Sequence, residues 1–246
     1  MYRLDMFSYL ANPARFDRFA RIAIPVSGWL ALGLIGVGLW YALFNSPPDY
    51  QQSETIRIMY VHVPAAWLGL ALYMAMGVAS FVYFVWRHPV ADVAAASIAP
   101  IGAVFAALCL TTGALWGKPT WGAWWVWDAR LTSMLIQLLL FLGYMALRGA
   151  LEDEKQAAKS AAILAMAGLV NLPIVKFSVD WWASLHQGAS VIRLDGPTID
   201  PSQLTPLLLM AVGMTALAGW MVLYRMRTAL IDRRASAMQL VREASV

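Results

Sequence analysis

Charge is scarce in this sequence. Only 13% of its 246 residues are Asp, Glu, Lys or Arg, while 61% are hydrophobic and the mean hydropathy is +0.62. A water-soluble fold carries roughly 25% charged residues, so the composition points to a membrane protein. The net charge of +4 gives no case for nucleic acid, because the basic residues fall at the ends of apolar runs. Cysteine is nearly absent as well. A lone Cys109 excludes an intramolecular disulfide framework, a CxxC redox centre and a CxxCH heme-attachment site. There is no Walker A pattern, so the chain is not an ATPase by itself. The apolar runs also lack acidic or histidine residues at mid-depth, which ion- and proton-coupled transporters use; Gln137 and Asn171 are the main polar side chains there. No second domain, low-complexity tract or internal repeat interrupts residues 1–246, which read as one integral membrane domain.

What is present is six apolar stretches, each near the ~20 residues needed to cross a bilayer as a helix. They fall near 22–44, 62–86, 97–116, 132–148, 160–179 and 204–224. The expected fold class is therefore all-α, a polytopic bundle of six transmembrane helices. The first stretch is too long for a signal-peptide core and has no small-residue cleavage site before Pro47, so it reads as an uncleaved anchor. Lys and Arg divide 13 against 5 between the two sides. The richer side carries both termini and is assigned to the cytoplasm. Segments 45–61, 117–131 and 180–203 then face outward.

The outward side holds an unusual concentration of tryptophan. Residues 116–128 contain Trp116, Trp121, Trp124, Trp125 and Trp127, five of the twelve in the chain, and Trp181 and Trp182 lie in the last outer segment. An interfacial aromatic belt would distribute tryptophan over both surfaces. Pro119 and Thr120 suit a helix start, and a short interfacial helix from there would place Trp121, Trp124, Trp125 and Asp128 on one face. Such a face is a flat apolar platform for a large planar ligand. The alternative is a segment that merely anchors and packs.

Two of the three histidines lie on the same side: His62 opens the second span, and His186 lies in the last outer segment. His88 falls on the cytoplasmic side and reads as a solvated loop residue. A histidine pair around an aromatic platform suits a metalloporphyrin, since imidazoles can fill both axial positions of heme iron. Two histidines without further ligands make a poor zinc site. Asp128 reads as orienting the loop or pairing with Arg130 rather than as a third ligand. Heme propionates call for cationic partners near the membrane surface, and Arg57, Lys118, Arg130 and Arg193 are all outward, with Arg130 directly after the aromatic run.

The run Trp124-Trp125-Val126-Trp127-Asp128-Ala129-Arg130, with Trp116-Gly117 before it, resembles the signature of the WWD heme-handling proteins of cytochrome c biogenesis. The regions around His62 and around Trp181-Trp182 and His186 resemble the family's flanking histidine segments. Short length and a single histidine pair match its heme-exporter branch in the cytochrome c maturation system rather than the larger heme-joining synthetases. The resemblance implies heme b held by His62 and His186 as axial ligands. Trp116, Trp121, Trp124, Trp125, Trp127 and Asp128 would form the platform within a loop at 116–130, with Arg57 and Arg130 as nearby cations. It further implies residence in the bacterial inner membrane among lipid, and hand-over of heme to a periplasmic heme chaperone. The implied partners are an ABC-type ATPase, its membrane subunits and a small single-span subunit. Two other readings stand beside this one: a permease moving heme or a small solute through the bundle, and a scaffold whose aromatic loop docks a partner without a cofactor.

Overall fold

The computed structural model describes residues 12–182, 184–186, 188 and 190–243. The described residues form an all-helical bundle with six helices long and apolar enough to cross a membrane, so this is a multi-pass membrane protein. Helix α1 is Pro13–Trp40, α2 Met59–Trp86, α3 Pro89–Trp121, α4 Ala129–Ala150, α5 Glu154–Ala167, α6 Asn171–Trp181 and α7 Pro201–Glu243. Helices α5 and α6 make a single span, joined by a 3₁₀ turn at Gly168–Val170. Pro173 explains the break: it has no N–H to give to the carbonyl four residues earlier, so the preceding turn tightens.

Local chemistry sets most helix ends. Asn12 accepts from the N–H of Ala14 and is followed by Pro13 in the first turn, a favoured start for α1. Asp128 and Asp153 cap α4 and α5 in the same way. His88 has a structural task that its sequence position did not suggest: its Nδ1 accepts from the N–H of Ala91 and so caps α3. The far end of α1 unwinds through a π turn at Tyr41–Asn45. There the Arg57 guanidinium, arriving from the 3₁₀ turn Glu54–Ile58, donates to the freed carbonyls of Ala42, at 2.6 Å, and Leu43.

Helix α3 is the centre of the bundle. It packs against α2, α4 and α7, and its apolar window is the most deeply covered of the six, at 61% against 11% for α1. Helix α1 leans chiefly on α7, and the two are tied at one end by Arg227 Nε to Asp17, 2.8 Å. The middle of the bundle is filled by Tyr73, Met76, Phe141 and Tyr144, all at most 1% exposed. Gln137 and Asn171, the polar pair expected at depth, meet there: Asn171 Nδ2 donates to Gln137 Oε1 at 3.1 Å and to the Ser133 carbonyl at 2.9 Å. These bonds satisfy the Asn171 amide nitrogen and the Gln137 carbonyl oxygen at depth, while the Gln137 Nε2 has no partner among the described residues.

One expectation needs correction. The short helix starting at Pro119 does not form. Helix α3 instead runs on through Pro119 to Trp121, and Gly122, at φ +78°, closes it with its N–H on the Lys118 carbonyl. Only a residue free of a Cβ takes that left-handed cap cheaply, so residues 122–128 leave as irregular chain. Helix α3 encloses the expected span 97–116 and begins earlier, at Pro89. Asp92 therefore falls in its first turn, where it is buried and held by Arg148 of α4 and Arg233 of α7.

Candidate functional site

The tryptophan end of the bundle gathers residues from four segments. His62, in the first turns of α2, packs edge-on against Trp116 of α3, with ring centroids 5.6 Å apart. Its Nδ1 lies 3.0 Å from the carbonyl of Cys109 and 3.1 Å from the Thr112 hydroxyl, both on α3. The ring can lie this close because residue 113 is glycine: a Cβ there would stand 3.0 Å from His62 Cε1. Trp116 is fixed in turn by its indole N–H, which donates to Gln52 Oε1 at 2.7 Å.

His186 reaches the same end from the segment after α6 and sits 5.2 Å, centroid to centroid, from Trp121. Trp116 and Trp121 are five residues apart on α3, a rise of about 7.5 Å. Both histidines therefore bear on the same stretch of α3, each through an indole. His186 Nδ1 is 3.2 Å from Ser184 Oγ and 3.6 Å from Asp128 Oδ2. Burial and the nearby Arg130 guanidinium push the His186 imidazole below its ordinary value, while Asp128 pulls the other way. A lowered value keeps the ring neutral at physiological pH, the form in which imidazole binds a metal.

The side chain of Asp128 is only 7% exposed and has two tasks. Oδ1 accepts from the N–H of Leu131 at 2.8 Å and caps α4; Oδ2 accepts from Ser184 Oγ at 2.6 Å. The expectation that it orients the loop fits this geometry. Pairing with Arg130 does not: Arg130 turns to α6, donating to Ser178 Oγ at 3.2 Å and the Lys176 carbonyl at 3.4 Å. These are long contacts for a guanidinium and leave donors without a partner among the described residues. Arg57 is brought not to the histidines but to the end of α1, where Glu54 and two carbonyls take its donors.

The aromatic segment presents a surface rather than a core. Trp121, Trp124 and Trp127 are 40%, 56% and 76% exposed. Trp125 is half-buried and meets Trp127 edge to face at 5.4 Å, and its buried indole N–H has no hydrogen-bond partner among the described residues. Trp181 and Trp182, at the end of α6, are exposed as well and pack edge to face on each other. Among the described residues no cluster of three or more His, Cys, Asp or Glu is placed to hold a metal ion. The metal-binding potential of this end is thus that of two separate imidazoles. Gln52, Thr112 and Ser184 are the supporting residues that sequence reasoning missed; only the proximity of Ser184 to His186 in the chain was a signal for any of them.

Comparison with known proteins gives a consistent result along nearly the whole chain. The family model described as Heme exporter protein C matches residues 6–241. The chain is similar to Heme exporter protein C of Bradyrhizobium diazoefficiens, 49% identical over 94% of this chain and 88% of that one. It is similar to the protein of the same name from Haemophilus influenzae, 47% identical over 92% of each chain. To that of Escherichia coli strain K12 it is 43% identical, over 90% of this chain and 89% of the other.

Proposed function

The chain belongs to the heme exporter protein C family, and from that premise we propose that it binds heme b at the periplasmic face of the bacterial inner membrane and presents it to a periplasmic heme chaperone during cytochrome c maturation. The observation that carries this reading is the convergence of His62 and His186 on one stretch of α3, each against an indole of the tryptophan-rich segment. In this reading His62 and His186 supply the two axial nitrogens to the iron. Trp116, Trp121, Trp124, Trp125 and Trp127 border the porphyrin, and Asp128 holds the loop in place. Arg130, with donors left over, faces a propionate. Arg57 acts one step removed, by fixing the end of α1.

The chain supplies no hydrolase chemistry of its own. An ABC-type ATPase with its membrane subunits and a small single-span subunit are the partners this role calls for. The asymmetry of basic residues supports placing the tryptophan end outside the cytoplasm. A permease route through the bundle is disfavoured by the packing of Tyr73, Phe141 and Tyr144 along its middle.

A test of the platform follows. Replacing Trp121 and Trp125 together by Ala removes two large aromatic faces, one of them 40% exposed and so available to a ligand. Membrane insertion and abundance should be unchanged, whereas the heme retained per molecule after purification should fall at least several-fold. Loss of the protein from the membrane with normal heme in the remainder would instead make these indoles structural.

A further inference from the structure

The hydrogen bonds behind the two histidines fix more than their position. A neutral imidazole carries its proton on one ring nitrogen, and only the other can bind a metal. At His62, the neighbours of Nδ1 are the Cys109 carbonyl, which can only accept, and the Thr112 hydroxyl. Thr112 is committed in its own right: its Oγ1 donates to the Leu108 carbonyl at 2.6 Å. Both neighbours are therefore acceptors, and the proton of His62 must lie on Nδ1.

The same logic holds at His186 through a different residue. Ser184 Oγ donates to Asp128 Oδ2 at 2.6 Å, so toward the histidine it is an acceptor. It takes the backbone N–H of His186 at 3.2 Å and faces Nδ1 at 3.2 Å. The proton of His186 again lies on Nδ1. Two rings from unrelated segments are thus each locked by a hydroxyl whose own proton is engaged elsewhere. His88 provides the contrast, because its Nδ1 accepts from a backbone N–H and must be the bare nitrogen.

We propose that Thr112 and Ser184 are positioning residues that fix the tautomers of His62 and His186 so that Nε2 of each is bare, and that Asp128, acting through Ser184, makes His186 the stronger donor of the two. The second half follows from what stands behind each ring. His62 is backed by a neutral carbonyl and a hydroxyl; His186 is backed by a hydroxyl polarised by a carboxylate 3.6 Å from Nδ1. A carboxylate behind an imidazole raises its basicity toward a metal, and loss of such partners costs about 10–100-fold in affinity. The inference rests on the heme reading above for its ligand, but not for the tautomers themselves.

The test therefore has two arms. In the first, heme-free protein labelled with 15N-histidine is reconstituted in lipid and its ring nitrogens are read by solid-state NMR. Two neutral histidines should show Nδ1–H and one Nε2–H. Ser184→Ala should weaken the Nδ1–H preference of His186, leaving the Asp128 carboxylate at 3.6 Å as the remaining acceptor, and Thr112→Val should weaken that of His62, leaving the Cys109 carbonyl. Ser184→Thr and Thr112→Ser should restore them. Asp128→Asn should reverse the His186 tautomer, because the new amide still caps α4 but donates to the Ser184 oxygen and frees the serine proton. In the second arm, heme loss to excess apomyoglobin is timed. Ser184→Ala should speed it about 10–100-fold, Ser184→Thr should match wild type, and Thr112→Val should have the smaller effect. Unchanged tautomers in Ser184→Ala and Thr112→Val would overturn the proposal. So would unchanged heme loss in Ser184→Ala on a wild-type background with bis-histidine spectra. The predicted tautomers in a protein that never takes up heme would support the lock and count against the heme reading alone.

Discussion

With His62 and His186 both replaced by alanine, heme should fall to background in protein purified from heme-supplied cells, while the protein itself remains in the membrane. The structure gives the reason for this separation. Each ring contributes one or two hydrogen bonds and an aromatic contact to the fold, about 1 kcal/mol per hydrogen bond. Neither lies in the tightly filled middle of the bundle. What the double variant loses is both imidazoles proposed to reach iron, and among the described residues no group of three or more His, Cys, Asp or Glu stands ready to replace them. Each single variant should keep one axial bond and shift from a six-coordinate to a five-coordinate spectrum. A double variant that retained heme with its spectrum unaltered would exclude both histidines as ligands.

The second large effect lies at the other end of the molecule. Asp92 is 6% exposed and accepts from Arg148, with Nη2 to Oδ2 at 3.3 Å, and from Arg233 at 2.8 Å. It thereby ties α3, α4 and α7 together. Arg233 is 41% exposed and would regain water, so little is lost there. Arg148 has a side chain only 20% exposed. Asp92→Ala strands that guanidinium, and breaking one partner of a buried ion pair costs about 3–5 kcal/mol. The variant should show a clearly lowered thermal midpoint in detergent, followed by tryptophan fluorescence, and reduced membrane abundance. The heme bound per folded molecule should stay near wild type, because the cluster is remote from the histidines. A midpoint within a degree or two of wild type would mean that the cluster is not a structural tie.

These two results would separate scaffold from site, and the same division marks what was legible in the sequence. The six spans were readable because apolar runs of bilayer length seldom occur outside membranes, and the helices enclose the expected stretches. The tryptophan concentration and the histidine pair were readable as composition on one side of a topology. The support behind them was not. Thr112 meets His62 across 50 residues of sequence, and Ser184 meets Asp128 across 56. Nothing in either local pattern distinguishes these hydroxyls from ordinary helix or loop residues. Asp128 and Arg130 looked like a local pair, but the unpaired N–H groups at the start of α4 compete for the carboxylate and win one of its oxygens. The aromatic helix was expected from Pro119, yet proline is tolerated within the last turn of α3 and the glycine after Trp121 sets the real boundary. Asp92 was missed because it precedes the apolar run of its helix, and only packing brings Arg148 and Arg233 to it.

Heme held between His62 and His186 is the proposal on which the role of this membrane protein rests. The most direct measurement is the visible spectrum of the wild-type protein, purified from heme-supplied cells and recorded oxidised and then reduced. Ligation by both histidines predicts a strong Soret band with sharp, resolved α and β bands on reduction, the signature of iron held by two imidazoles. A spectrum without a Soret band, or a high-spin one without resolved α and β bands, would contradict it.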